Sequence, residues 1–209
     1  MTQLLDAALV VALVATLATL GSGRLVLCVR MLAAQGMAMS LLPLVSAEPA
    51  WSLAAGTFAI KGLLLPWLLF RAMGQAGVSR ESKPGVGFGV SLASGVLMLG
   101  ASFLLKDHLP VPPFPDPSLV ATVALFNLFS GLFLIVTRRL AVFQVMGYLV
   151  LENGIYAFGM GFVGSQPFLV ELGVLLDLFV AVFVMTLLIY HISRELEHID
   201  VGEMNRLRG

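Results

Sequence analysis

The chain is 209 residues long, with 12 basic and 12 acidic side chains and a formal net charge of zero. Apolar residues make up 59% of it and charged residues only 11%, against roughly 25% charge in an ordinary soluble domain. That balance excludes a soluble globule and a bulk attraction to nucleic acid, and it leaves an all-α integral membrane protein.

The apolar runs are continuous and about 20 residues long, which argues against the alternating pattern of a β-barrel. Seven transmembrane helices are predicted, over 4–20, 25–45, 51–70, 86–105, 119–137, 140–162 and 168–192. No basic segment precedes the first run, so it reads as a retained span and not a cleaved signal. Turn chemistry separates the runs: Gly21-Ser22-Gly23, then Ser46 to Pro49, then 74–85, then the proline-rich stretch 108–115. Arg138-Arg139 alone separates the fifth and sixth runs and implies a tight hairpin.

In the second span, Cys28 is the lone cysteine and reads as a small packing residue. Arg30 lies near the span's start and is expected to snorkel to the interface, with Gln35 and Gly36 deeper. In the third span, Lys61 sits midway and Pro66 follows five residues later. The proline lacks a donor and disturbs the helix one turn earlier, near Gly62. Lys61 needs a carboxylate partner, and Glu152 or Asp177 can provide one.

In the sixth span, Glu152 lies near the centre, with Tyr148 and Tyr156 four residues to either side on one stripe. That spacing allows both phenol hydroxyls to hydrogen-bond the carboxyl group. Gln144, Gly147, Asn153 and Gly154 add polarity and close helix approach. In the seventh, Asp177 lies near the centre, flanked by Gly173 and Ala181, and Glu171 is close enough to the edge to snorkel. His191 follows Asp177 by fourteen residues on nearly the same face, about 21 Å along the axis. Each of these groups also has a plainer reading, as a static interhelical hydrogen bond or ion pair.

A charge at mid-bilayer costs about 2.5–3.5 kcal/mol on insertion scales. Three such groups, Lys61, Glu152 and Asp177, therefore point to proton or ion traffic inside a bundle. The basic residues Arg24, Arg30, Arg71, Arg80, Lys83, Arg138, Arg139, Arg194, Arg206 and Arg208 fall on one side of a seven-span topology, and only Lys106 falls on the other. The positive-inside rule then puts the N-terminus outside and the C-terminus in the cytoplasm. The tail from Arg194 mixes both signs. The sequence contains no phosphate loop, paired-cysteine metal motif or nucleophile triad, so no active site is expected in this chain.

The stretch Arg138-Arg139-Leu-Ala-Val-Phe-Gln-Val-Met-Gly147-Tyr-Leu-Val-Leu-Glu152-Asn153-Gly154-Ile-Tyr-Ala-Phe resembles the hydrogenase-4 component E family. That family is related to the small K subunit of bacterial complex I and to the C subunit of Mrp-type cation/proton antiporters. Arg139, Gly147 and Asn153 fit the shared pattern. The chain departs from the K subunit at Leu149, where that subunit carries its second-helix glutamate; Glu152 stands three residues later, about one helical turn along. Asp177 matches the third-helix glutamate.

The resemblance implies three parts: a four-helix membrane part over 1–110, a K-subunit-like three-helix unit over 111–193, and a cytoplasmic tail over 194–209. It also implies a membrane-arm subunit of an energy-converting nickel–iron hydrogenase or formate hydrogenlyase-like complex, in a bacterial or archaeal cytoplasmic membrane. Its partners would be antiporter-like and quinone-subunit-like membrane subunits and a peripheral hydrogenase arm. The nickel–iron centre and iron–sulfur clusters would lie in those partners, with no cofactor here. Glu152, Asp177 and Lys61 would form the proton relay, supported by Tyr148, Tyr156, Asn153, Gln144 and His191. A structural adapter, or a subunit of a multi-component sodium/proton antiporter, are the other readings.

Overall fold

The computed structural model describes residues 2–45, 50–76, 85–109 and 117–162. Every regular element among them is helical. In chain order these are α1 (Thr2–Leu20), α2 (Leu25–Met39), the short α3 (Leu42–Val45), α4 (Trp51–Thr57), a π segment (Phe58–Leu64), α5 (Leu65–Ala76), α6 (Phe88–Leu105), a 3-10 turn (Lys106–His108), α7 (Pro117–Thr137) and α8 (Ala141–Phe162).

Six stretches are long and apolar enough to cross a membrane: Gln3–Leu20, Leu25–Val45, Trp51–Gly74, Phe88–His108, Leu119–Thr137 and Ala141–Gly161. They coincide with the first six runs expected from sequence. The third runs on to Gly74, past Arg71, whose guanidinium lies over the Trp67 ring, 5.8 Å from the centroid. The fourth ends in the 3-10 turn that carries Lys106 and His108. The expected seventh span over 168–192, with Glu171, Asp177 and His191, lies outside the described residues.

One continuous core runs from Leu5 and Leu9 of α1 through Leu32 and Met39 of α2 to Phe126 of α7 and Met146 of α8. α2 packs between α1, the π segment and α8, while α7 packs on α1, α6 and α8. The outer surface is apolar: Leu97 is 74% exposed and Val136 76%. Polar side chains such as Thr16, Gln35, Asn127, Ser130, Glu152 and Asn153 are buried instead. A soluble protein distributes them the other way; this inversion fits a hydrocarbon solvent.

Small residues bring the helices together. A Cβ on Gly131 of α7 would lie 2.4 Å from the Leu151 nitrogen of α8, and one on Gly147 would lie 2.8 Å from Leu134 Cβ. Only glycine permits backbones so close, which is the packing that replaces hydrophobic drive between helices in lipid.

The arginine hairpin is tighter than a solvated turn. Arg138 is 2% exposed and its Nη2 donates to the Leu20 carbonyl at 2.6 Å. Its guanidinium lies over Phe88 at 4.7 Å and Phe143 at 5.4 Å. Leu20 ends α1, where carbonyls lack helical partners and the dipole favours a cation. Arg138 therefore ties α1, α6 and the α7–α8 turn at one end of the bundle. Cys28 is buried, as expected. Arg30 is exposed.

Candidate functional site

The site begins with a helix that changes width. Pro66 cannot donate a backbone hydrogen bond, and its ring displaces the carbonyl of Gly62 four residues earlier. The backbone answers by opening into the π segment Phe58–Leu64, where the Leu65 N–H donates to the Ile60 carbonyl, five residues back. Single wide turns of this kind cluster at functional sites. Lys61 stands in the middle of this one. Gly36 of α2 lies against it so closely that a Cβ there would be 2.5 Å from the Lys61 carbonyl oxygen.

From that position Lys61 Nζ donates to Glu152 Oε1 at 2.8 Å and to Asn153 Oδ1 at 3.2 Å. The side chains are 4% and 3% exposed. The Tyr156 ring lies under the ammonium, 5.1 Å from nitrogen to centroid, and the Tyr156 hydroxyl meets Thr57 Oγ1 at 3.3 Å. Three residues of α8 thus converge on one lysine of the third span. A water-excluded charge pair of this quality is favourable only because the ammonium finds an anion, an amide oxygen and a π face together.

The structure brings together Lys61, Glu152, Asn153 and Tyr156 of the sequence candidates. Between the two carboxylates open to Lys61, Glu152 is the one in contact among the described residues. Tyr148 packs half-buried against the core one turn from Glu152. The Tyr156 hydroxyl meets Thr57, with the ring beneath Lys61. Gln144 lies eight residues, about 12 Å along the helix, from Glu152, and its Nε2 donates to the Arg138 carbonyl at 3.1 Å. Asp177 and His191 lie outside the described residues.

A second polar group was seen in the sequence only through Gln35, because it carries no charge. Gln35 Nε2 of α2 donates to Thr16 Oγ1 of α1 at 3.1 Å, and Thr16 Oγ1 lies 2.8 Å from Asn127 Oδ1 of α7. All three are buried. Asn127, the only amide side chain in the apolar run 119–137, was the available signal. The two groups abut at two points. Gln35 precedes Gly36, which touches Lys61; Asn153 precedes Gly154, whose Cβ would lie 3.1 Å from Asn127 Cβ. Together they make a polar layer running sideways through the bundle from α1 to the third span. Among the described residues no three metal-ligating side chains cluster.

An all-helical bundle with an apolar exterior and a buried lysine–glutamate pair is a membrane protein built to hold charge in its interior. Comparison gives it a family. Hydrogenase-4 component E of Escherichia coli (strain K12) is 31% identical over 161 residues, covering 76% of this chain and 73% of that protein, and that of Shigella flexneri gives the same figures. Uncharacterized protein Rv0085 of Mycobacterium tuberculosis is 33% identical over 190 residues, covering 86% of this chain and 84% of the relative. No family model and no solved structure matches the chain. The chain belongs to the hydrogenase-4 component E family.

Proposed function

We propose that this chain is a membrane subunit of a hydrogenase complex in the bacterial inner membrane, of the energy-converting nickel–iron or formate hydrogenlyase-like type, and that it relays protons sideways through the bilayer. In this reading it has seven spans with the N-terminus outside. Residues 111–193 form the K-subunit-like unit, and redox chemistry belongs to partner subunits. Lys61, Glu152 and Asp177 are the titrating links, and Asn153 and Tyr156 hold the first pair in register.

The observation that carries the reading is the Lys61–Glu152 pair, 2.8 Å apart and buried at the middle of two spans. A proton passing from ammonium to carboxylate at that distance converts an ion pair to a neutral pair, with no net charge moved into hydrocarbon. A neighbouring charge within about 4–6 Å changes protonation equilibria by about 1.4–4 kcal/mol, so arrival or departure of a proton at a neighbouring site is enough to drive the step.

The test is Glu152→Gln in the intact complex, assayed in inverted membrane vesicles. Redox turnover should continue while acidification of the vesicle lumen is lost. Acidification at the wild-type rate would overturn the relay. A static adapter is the second reading, favoured by how completely Asn153 and Tyr156 surround the Lys61 ammonium. It expects the same substitution to lower the amount of assembled complex on native gels while coupling in the surviving complex stays normal.

A further inference from the structure

Asn127 and Ser130 lie three residues apart on α7, and both are completely buried. Asn127 Nδ2 and Ser130 Oγ have no hydrogen-bond partner among the described residues. The other end of the Asn127 amide is committed to Thr16. Thr16 has one hydroxyl proton, and the Ala12 carbonyl at 3.0 Å competes with Asn127 for it. Whichever way round the amide sits, one of its polar ends remains unmatched.

We propose that Asn127 and Ser130 hold a buried water molecule, which makes the Thr16–Gln35–Asn127 group part of the same conducting layer as Lys61 and Glu152. Residues at i and i+3 on a helix share one face with Cβ atoms about 5–6 Å apart, close enough for their polar atoms to share one water through two hydrogen bonds of about 2.9 Å. Buried water collects where polar groups would otherwise go unsatisfied, and it needs two to four partners. The amide supplies a donor or an acceptor and the hydroxyl supplies both. The position is also the junction of the two polar groups, since Gly154 beside Asn153 rests against Asn127. A water there adds a hydrogen-bonding site to the polar layer beside the Asn127–Thr16 contact and gives a proton leaving the Lys61–Glu152 pair a place to go.

This inference rests on the relay reading, and the experiment separates the two. Proton translocation and redox turnover are measured in vesicles carrying the intact complex with Ser130→Val, Ser130→Thr or Glu152→Gln. Valine fills the site with methyl groups and offers no hydrogen bond; threonine keeps the hydroxyl. Translocation should fall at least tenfold in Ser130→Val and hold within twofold in Ser130→Thr, with turnover unchanged in both. If Glu152→Gln abolishes translocation and Ser130→Val leaves it normal, the water site is wrong and the relay stands. If Glu152→Gln translocates normally, the relay is wrong and the inference falls with it. If Ser130→Thr fails as completely as Ser130→Val, steric crowding explains both and the water site is overturned.

Discussion

The Lys61–Glu152 pair allows one experiment that weighs stability and function separately. Glu152→Leu removes the anion from the Lys61 ammonium, which keeps among the described residues Asn153 Oδ1 at 3.2 Å and the Tyr156 ring at 5.1 Å. Breaking a buried pair from one side costs about 3–5 kcal/mol, because the surviving charge stays in a medium that cannot solvate it. The amide and the ring keep the cost at the lower end, about 3 kcal/mol. At about 2–4 °C per kcal/mol for a chain of this size, the melting midpoint should fall by roughly 6–12 °C. Lys61→Met should behave similarly. The double variant Lys61→Met/Glu152→Leu replaces both charges with apolar groups of similar volume and should recover most of the loss. The assay is thermal melting of the purified chain in detergent at one fixed scan rate, because membrane bundles unfold irreversibly. Two singles within about 2 °C of the unmodified chain, or a double variant no better than the worse single, would refute the view that these groups stabilise each other. Vesicle assays add the second axis: a relay loses proton translocation in all three variants, whereas a static clamp keeps normal coupling in whatever complex assembles and regains its amount in the double.

Gly36→Ala tests how the lysine is placed. The new methyl carbon would lie 2.5 Å from the Lys61 carbonyl oxygen, so α2 must retreat. A cost of about 1–3 kcal/mol is expected, read as a lowered melting midpoint, and Gly56→Ala should show none of it; Gly56 has open space around its Cβ position. Arg138→Lys keeps the charge but loses the planar fork that reaches the Leu20 carbonyl while lying on two rings. It should destabilise by about 1.5–3 kcal/mol, and an unchanged melting curve would show that the clamp contributes only charge.

Six spans were legible because apolar length, glycine–proline breaks and the bilayer thickness say the same thing about each run. The consequence of Pro66 was legible too: a missing donor must disturb the turn before it, and the π segment lies there. Which carboxylate meets Lys61 could not be read, because helical periodicity fixes a residue's face but not the neighbour across it. The contact of the Tyr156 phenol with Thr57 on another helix was illegible for the same reason, as was that of Gln144, two helical turns before Glu152, with the hairpin carbonyl of Arg138. Arg138 looked like one more basic residue beside a membrane. Only the convergence of Leu20, Phe88 and Phe143 from three elements gives it a buried place.

The positions of the glycines explain why the polar layer exists at one depth. Gln35-Gly36 and Asn153-Gly154 are amide–glycine pairs on α2 and α8. In each, the glycine removes the side chain that would hold a neighbouring helix away, so the adjoining amide is sealed from lipid as it meets its partner. Gly36 draws α2 onto Lys61, and Gly154 draws α8 onto Ala124, Asn127 and Leu128 of α7. Without those contacts, Gln35 and Asn153 would face hydrocarbon or a gap, and an unmatched polar group in an apolar medium is expensive. The sequence device is local, two residues long. Its effect is lateral, because each close contact lies beside a hydrogen-bonding side chain and binds the next helix at the same level. A bundle assembled this way presents lipid with an apolar exterior while charged and polar groups meet across five spans inside it, an arrangement in keeping with the lateral relay proposed above.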